Sequence, residues 1–331
     1  MQTRSISVVV ALVLVGSIFS ISQLNSAKAE SSTVSFVTKF DAKKGELPEG
    51  LAVFLGRKYV SMAPQVQAYK IDTDGKMSPY GTWPKANPGE AFMVGLTFDN
   101  KKNLYAALPS FNEQVKTGIY KVSSATDEAE LFATHLDMKF PNDIIFGNKG
   151  RMFISDSFDG SIFVVEKDGS VSKWLSSDLL KADSTNCSET RLGFDIGANG
   201  LAYYKNNIYV ANTLAATILK IPVNEDGSAG KPEVFVGPDC SSLVGVDGIT
   251  IDRDGNIFAA INLQDKIIKI SSNKEVTIIA EKQGMDFPAS VELARHGGKY
   301  FLYATNFGFV TANKGLIPDT GIIRISTNNY Q

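Results

Sequence analysis

One pattern recurs along this chain: a run alternating apolar and polar residues, a turn on Gly, Asn or Asp, and a second alternating run. Asp247-Gly248-Ile249-Thr250-Ile251, turning at Asp252-Arg253-Asp254-Gly255 into Ile257-Phe258-Ala259-Ala260, is the clearest copy. Related copies start at Glu49-Gly50-Leu51, Val94-Gly95-Leu96, Asn142-Asp143-Ile144 and Asn199-Gly200-Leu201, with a later one near Pro288-Ala289-Ser290. Period-two alternation broken by tight turns is the signature of a β-hairpin. Third and fourth alternating runs follow, such as Lys266–Ile270 and Val276–Ile279. Four strands in about 45 residues, six times over, predict an all-β, six-bladed β-propeller with four antiparallel strands per blade. The only short helical turn expected lies in residues 177–182.

Such a ring has to close. The last unit supplies three strands before the chain stops, so the fourth is expected from Thr33–Phe40, near the other end. That closure leaves no open edge between first and last blades. It also makes residues 30–331 one domain. Twenty Phe, eleven Tyr and 28 Gly suit packed sheets joined by tight turns.

Residues 1–29 read as a secretory leader. Arg4 supplies the positive start, residues 7–19 an apolar run, and Ala27-Lys28-Ala29 a small-x-small cleavage pattern. The run is short for a membrane span. Cleavage near Ala29 is expected to release the chain to a periplasm or the extracellular space. Loss of Arg4 and Lys28 with the leader takes the net charge from −2 to −4. No basic excess remains to neutralise phosphates, so nucleic acid is not an expected partner, and a small-molecule substrate is.

At one register the repeat changes chemistry. Ahead of each innermost strand stand Glu49, Val94, Asn142, Asn199, Asp247 and, approximately, Ser290. Innermost strands surround the channel of a propeller, so these side chains converge at one mouth. Two carboxylates and two amides make an all-oxygen set, which suits hard Ca²⁺. With only two His and two Cys in the chain, zinc is the poorer match.

Pro48-Glu49-Gly50, Pro141-Asn142-Asp143, Ala198-Asn199-Gly200 and Val246-Asp247-Gly248, each opening a blade, resemble the gluconolactonase/regucalcin superfamily of calcium-dependent six-bladed hydrolases. Diisopropyl fluorophosphatase and the paraoxonases are more distant members. The resemblance implies that Glu49, Asn142, Asn199 and Asp247 hold a catalytic Ca²⁺. It further implies an exported hydrolase of lactones, esters or phosphoesters, with Asp247 as nucleophile or general base. The histidine dyad of paraoxonases has no counterpart here. Nor has the Arg and Asn set with which gluconolactonases hold sugar hydroxyls.

Other features leave alternatives open. Cys187 and Cys240 lie in loops ahead of inner strands; in an oxidising compartment they either pair or stay as two thiols. His135 sits at a strand end, and His296 in a hairpin turn at the opposite mouth. The loop 307–320 should overhang the mouth that bears the oxygen cluster. Trp83 and Trp174 should pack outer strands. A non-enzymatic propeller of the NHL type, binding a ligand or protein through its face, would need no converging oxygen set. A strictosidine-synthase-like propeller would need a late catalytic carboxylate, for which Glu292 is the nearby candidate.

Overall fold

The computed structural model describes residues 28–29, 32–187, 193–296 and 299–327. Residues 1–27, which carry most of the expected leader, lie outside the described residues. Among the described residues, six sheets stand around a central axis, and each of the six blades holds four antiparallel strands. The innermost strands are Pro48–Phe54, Leu96–Phe98, Pro141–Phe146, Ala198–Tyr204, Val246–Ile251 and Pro288–His296, here numbered as blades 1 to 6. Blade 6 is completed by Ser32–Lys39, which pairs antiparallel with Gly321–Thr327 as its outermost strand. The expected closure is therefore present, one residue offset at each end. Lys28–Ala29 adds a short parallel strand outside Val276–Glu281 of blade 5.

The core lies between blades. Alternate side chains of each sheet pack on the neighbouring sheet, as where Phe153, Ile162 and Val164 of blade 3 meet Leu201, Val210 and Leu219 of blade 4. Trp174 stands edge-on to Phe153, and its indole N–H donates to the Gly227 carbonyl of blade 4. Trp83 is buried between blades 1 and 2. Cys187 and Cys240 form a disulfide, with Cα atoms 5.5 Å apart, joining the loops that enter blades 4 and 5. The expected helical turn is a 3₁₀ segment, Asp178–Leu180, capped by Ser177. The sequence gives no expectation of the short α-helix Phe309–Asn313 or of the 3₁₀ turns Ala42–Lys44, Ala63–Gln65, Asn148–Gly150 and Asn262–Gln264. Among the described residues no helix is long and apolar enough to cross a membrane.

Five blades share one irregularity. The pairing slips between Pro48 and Leu51, Pro141 and Ile144, Ala198 and Leu201, Val246 and Ile249, and Pro288 and Val291. At each slip two inner-strand residues face one on the second strand, which is a β-bulge. A bulge turns its residues out of the ordinary in–out alternation. The first bulged residue in blades 1, 3, 4 and 5 is Glu49, Asn142, Asn199 and Asp247 respectively.

Candidate functional site

Those four side chains come together. All are buried, and all line both the floor of a cavity of about 350 Å³ and a chamber of about 20 Å³ beneath it on the axis. Blade 2 contributes Val94 at the same register. Blade 6 contributes Ala289, not Ser290: Pro288 pairs with Asn306 as Pro48 pairs with Met62, so Ala289 is the counterpart of Glu49. The oxygen set thus comes from four blades and is absent from the other two.

A second register supports it. The residue just past the second strand is Ser157, Thr213 and Asn262 in blades 3, 4 and 5. Asn142 Nδ2 donates to Ser157 Oγ at 2.9 Å, and Ser157 Oγ donates to the Ala198 carbonyl of the next blade at 2.7 Å. Asn199 Nδ2 donates to Thr213 Oγ1 at 2.9 Å, and that hydroxyl donates to the Val246 carbonyl at 2.8 Å. Because each hydroxyl proton is committed to a carbonyl, the hydroxyl can only accept from the amide. The amide orientation is thereby decided: nitrogen to the wall, leaving Oδ1 as the group available to the axis. In blade 5 the polarity inverts, and Asn262 Nδ2 donates to Asp247 Oδ2 at 2.8 Å.

The electrostatics ask for positive charge. Burial, then the charges of Asp247 and Asp143, raise Glu49 well above the ordinary carboxyl range. Burial pushes Asp247 up to about 7 against the opposing hydrogen bond from Asn262, with the Asp143 charge adding to the rise and a hydrogen bond from Asn199 opposing it. Among the described residues, no three His, Cys, Asp or Glu side chains group as a metal site. The cluster is two carboxylates and two amide oxygens, a neutral-plus-anionic donor set that fits a hard divalent cation.

Asp143 was not singled out from the sequence. It occupies the second bulged position, where blades 1, 4 and 5 carry Gly50, Gly200 and Gly248; Gly95 stands at the same register of blade 2. A Cβ at Gly200 would lie 2.3 Å from the Asp247 carbonyl oxygen, and one at Gly248 2.7 Å from Ser290 Cα. Inner strands pass that closely at the channel mouth. The side chain of Asp143 instead reaches across to blade 4, where its carboxylate accepts from Leu201 N at 2.7 Å. Burial raises it to about 6 despite that bond.

Glu292 lies further along the inner strand of blade 6. Burial, then the charge of Asp143, pushes its carboxyl up to about 8. A carboxyl raised in this way stabilises the fold while protonated. That contribution is complete below its unfolded-state pKa of about 4.3 and is lost as pH rises toward 8. Glu292→Gln is therefore expected to match the wild type in chemical denaturation at pH 4 and to exceed it in stability at pH 9. Equal stability at both pH values would show that the burial is relieved.

The cavity above the cluster is aromatic. Phe92, Phe140 and Phe287 stand two residues before Val94, Asn142 and Ala289 in blades 2, 3 and 6, and all three line it. Phe158 stacks on Phe140 with centroids 4.6 Å apart. Phe194 approaches Phe309 at 5.9 Å, so the loop 307–320 overhangs this mouth as expected. Phe111 and Phe307 bring the phenylalanines lining the cavity to eight. No Lys, Arg or His is among its described lining residues. His135 packs its ring 5.3 Å from Phe163 instead.

A family profile described as the SMP-30/Gluconolactonase/LRE-like region matches residues 111–294. Among solved structures, a gluconolactonase from Xanthomonas campestris is 16% identical with a TM-score of 0.65, covering 91% of each chain. Regucalcin from Agrobacterium tumefaciens, a calcium-binding protein, is 17% identical with a TM-score of 0.61, covering 91% of this chain and 95% of its own. Virginiamycin B lyase from Staphylococcus aureus is 16% identical with a TM-score of 0.56, covering 84% and 83%. At such identities these likenesses speak for the fold alone. No curated protein matches the chain significantly. The matched profile covers more than half of the chain, across the blades that supply Asn142, Asn199 and Asp247, and the chain belongs to the SMP-30/gluconolactonase/LRE-like family.

Proposed function

We propose that the protein is an exported, Ca²⁺-dependent hydrolase of lactones, esters or phosphoesters, with Glu49, Asn142, Asn199 and Asp247 holding the ion. The observation that carries this reading is the amide orientation: Asn142 and Asn199 have their nitrogens held by Ser157 and Thr213, which leaves both carbonyl oxygens for a cation. Bound there, Ca²⁺ would supply a Lewis acid toward a carbonyl or phosphoryl oxygen. Asn262 holds one oxygen of Asp247 and so fixes the carboxylate plane. Next to a dication that carboxylate would stay ionised, which suits attack on the carbonyl carbon or phosphorus better than taking a proton from water. The attack would expel the alcohol oxygen, and water would then cleave the acyl or phosphoryl group from Asp247. The phenylalanine wall keeps bulk water from the floor during the attack.

The export step rests on the leader pattern in residues 1–29 and on the disulfide between Cys187 and Cys240, which an oxidising compartment preserves. A panel of lactones, aryl esters and phosphotriesters, assayed with and without EGTA, tests the reading. Hydrolysis abolished by chelation and restored by added Ca²⁺ is the expected result. Hydrolysis indifferent to chelation would sink it.

A further inference from the structure

We infer that the substrate is an uncharged lactone or ester whose bulk is an alkyl chain or an aromatic ring; this rests on the hydrolase reading above. The cavity is divided. Its polar side chains, Glu49, Asn142, Asn199, Thr213, Asp247 and Asn262, all lie at the floor, and the wall above them is mainly phenylalanine. A ligand that fits has one polar end, its carbonyl, and an apolar remainder. At about 350 Å³ the space is at the small end of the ~300–1,000 Å³ typical of ligand pockets.

The wall is built rather than incidental. Phe111, Phe158 and Phe194 remain 60%, 40% and 42% exposed, so folding alone gains little from placing them there. Asp156, fully buried, holds two of the wall residues from below. Its Oδ2 accepts from Phe140 N at 3.1 Å and its Oδ1 from Phe158 N at 3.2 Å, which sets the stacked pair. The loop 307–320 is tied down in turn, with Thr311 Oγ1 donating to Asp286 at 2.9 Å.

The same wall disfavours two other classes. A polyhydroxylated lactone would bring hydroxyls against rings that offer no partner, at roughly ten- to hundredfold in affinity for each one left unpaired. An anionic ester would find no Lys, Arg or His among the described lining residues.

The test uses the Ca²⁺-loaded protein, a series of γ-lactones with lengthening alkyl chains, glucono-δ-lactone, and methyl alkyl ketones of matching length as inert probes. kcat/KM is expected to rise roughly three- to fourfold per methylene until the chain outruns the wall. Glucono-δ-lactone should fall at least about a hundredfold below the longer γ-lactones. Calorimetric ketone affinity should climb with the same slope. Phe158→Ser and Phe194→Ser, both at partly exposed positions that the fold can spare, should flatten it. Ketones that bind with this slope while no lactone is turned over would uphold the ligand class and sink the hydrolase reading. Ca²⁺-dependent lactone hydrolysis with a flat slope, or with glucono-δ-lactone preferred, would overturn the ligand class alone. Neither ketone binding nor hydrolysis would overturn both.

Discussion

Asp247→Asn is expected to lower Ca²⁺ affinity by more than the roughly 10–100-fold that loss of an outer supporting group costs, and to abolish Ca²⁺-dependent hydrolysis. Isothermal titration on the isolated variant reads the first, and the chelation assay the second. Thermal unfolding without added metal should move the other way. Asp247 is surrounded by protein and pushed up to about 7 by burial, so removing its charge removes a cost that the empty cluster carries. A variant that loses Ca²⁺ binding because it is misfolded would instead melt earlier. Glu49→Gln should behave in the same way, since burial and the Asp247 charge hold Glu49 well above its ordinary range. Protons and the cation compete for these two carboxylates. Wild-type affinity should therefore weaken as pH falls below about 7, where the site binds protons more readily than an exposed carboxylate does. Thr213→Val tests the layer behind. Without the hydroxyl that takes its nitrogen, the Asn199 amide is free to turn, and affinity should drop by about 10–100-fold with the carboxylates intact. Unchanged affinity in Asp247→Asn would remove the metal assignment altogether.

Gly200→Ala should be the most disruptive small substitution near the site. Its Cβ would meet the Asp247 carbonyl oxygen at 2.3 Å, Gly248 Cα at 2.8 Å and Ile249 N at 2.9 Å. All three are backbone atoms of blade 5, so no side-chain rotation relieves the overlap. The inner strands of blades 4 and 5 have to separate, and Asp247 moves with them. Overpacking of this kind costs about 2–3 kcal/mol, or roughly 3–5 °C in Tm for a domain of this size. Gly169→Ala is the control. Nothing lies within 4 Å of its Cβ, but φ is +86°, so it should cost only the ~1 kcal/mol of a strained left-handed residue. Differential scanning fluorimetry with and without Ca²⁺ separates the two effects. Gly200→Ala should also shrink the Ca²⁺-induced rise in Tm, and Gly169→Ala should leave it whole. If Gly200→Ala melts with the wild type, the inner strands are spaced more widely than this packing requires.

The propeller and the four candidate ligands were legible because they obey one rule. A bulge at the same point of five blades, the four ligand-bearing ones included, puts the ligand and its following residue in fixed register, and that register survives as Glu-Gly, Asn-Asp, Asn-Gly and Asp-Gly in the sequence. What broke the rule was harder to read. Ser290 lies one residue past the ligand register, which the sequence hides because blade 6 has Ser where four others have Gly; the pairing of Pro288 with Asn306 is what places Ala289 at the ligand position. Asp143 carried a visible signal, a carboxylate at a position otherwise reserved for Gly, but its contact with Leu201 N spans two blades. Ser157, Thr213 and Asn262 also share a register, though Ser, Thr and Asn at a strand end read equally well as turn residues. Of the aromatic wall, Phe92, Phe140 and Phe287 could have been found, since all stand two residues before the ligand position. Phe111, Phe158, Phe194, Phe307 and Phe309 come from loops of different lengths. Only the closed ring brings those loops together.

The pairing of Ser32–Lys39 with Gly321–Thr327 has a consequence for the order in which the molecule matures. Synthesis delivers the chain from one end, so the early strand waits unpaired while five complete blades emerge. Its partner emerges only after those blades. Blade-to-blade packing can proceed during that interval, because each hairpin is local in sequence. The closing contact brings together segments far apart in sequence and has the largest loop to close. Across the same seam Thr305 Oγ1 of blade 6 donates to the Glu49 carbonyl of blade 1 at 2.7 Å. A shortened N-terminus would therefore leave a curved row of folded blades with the cluster pried open at Glu49, and metal binding would report the last step of ring assembly.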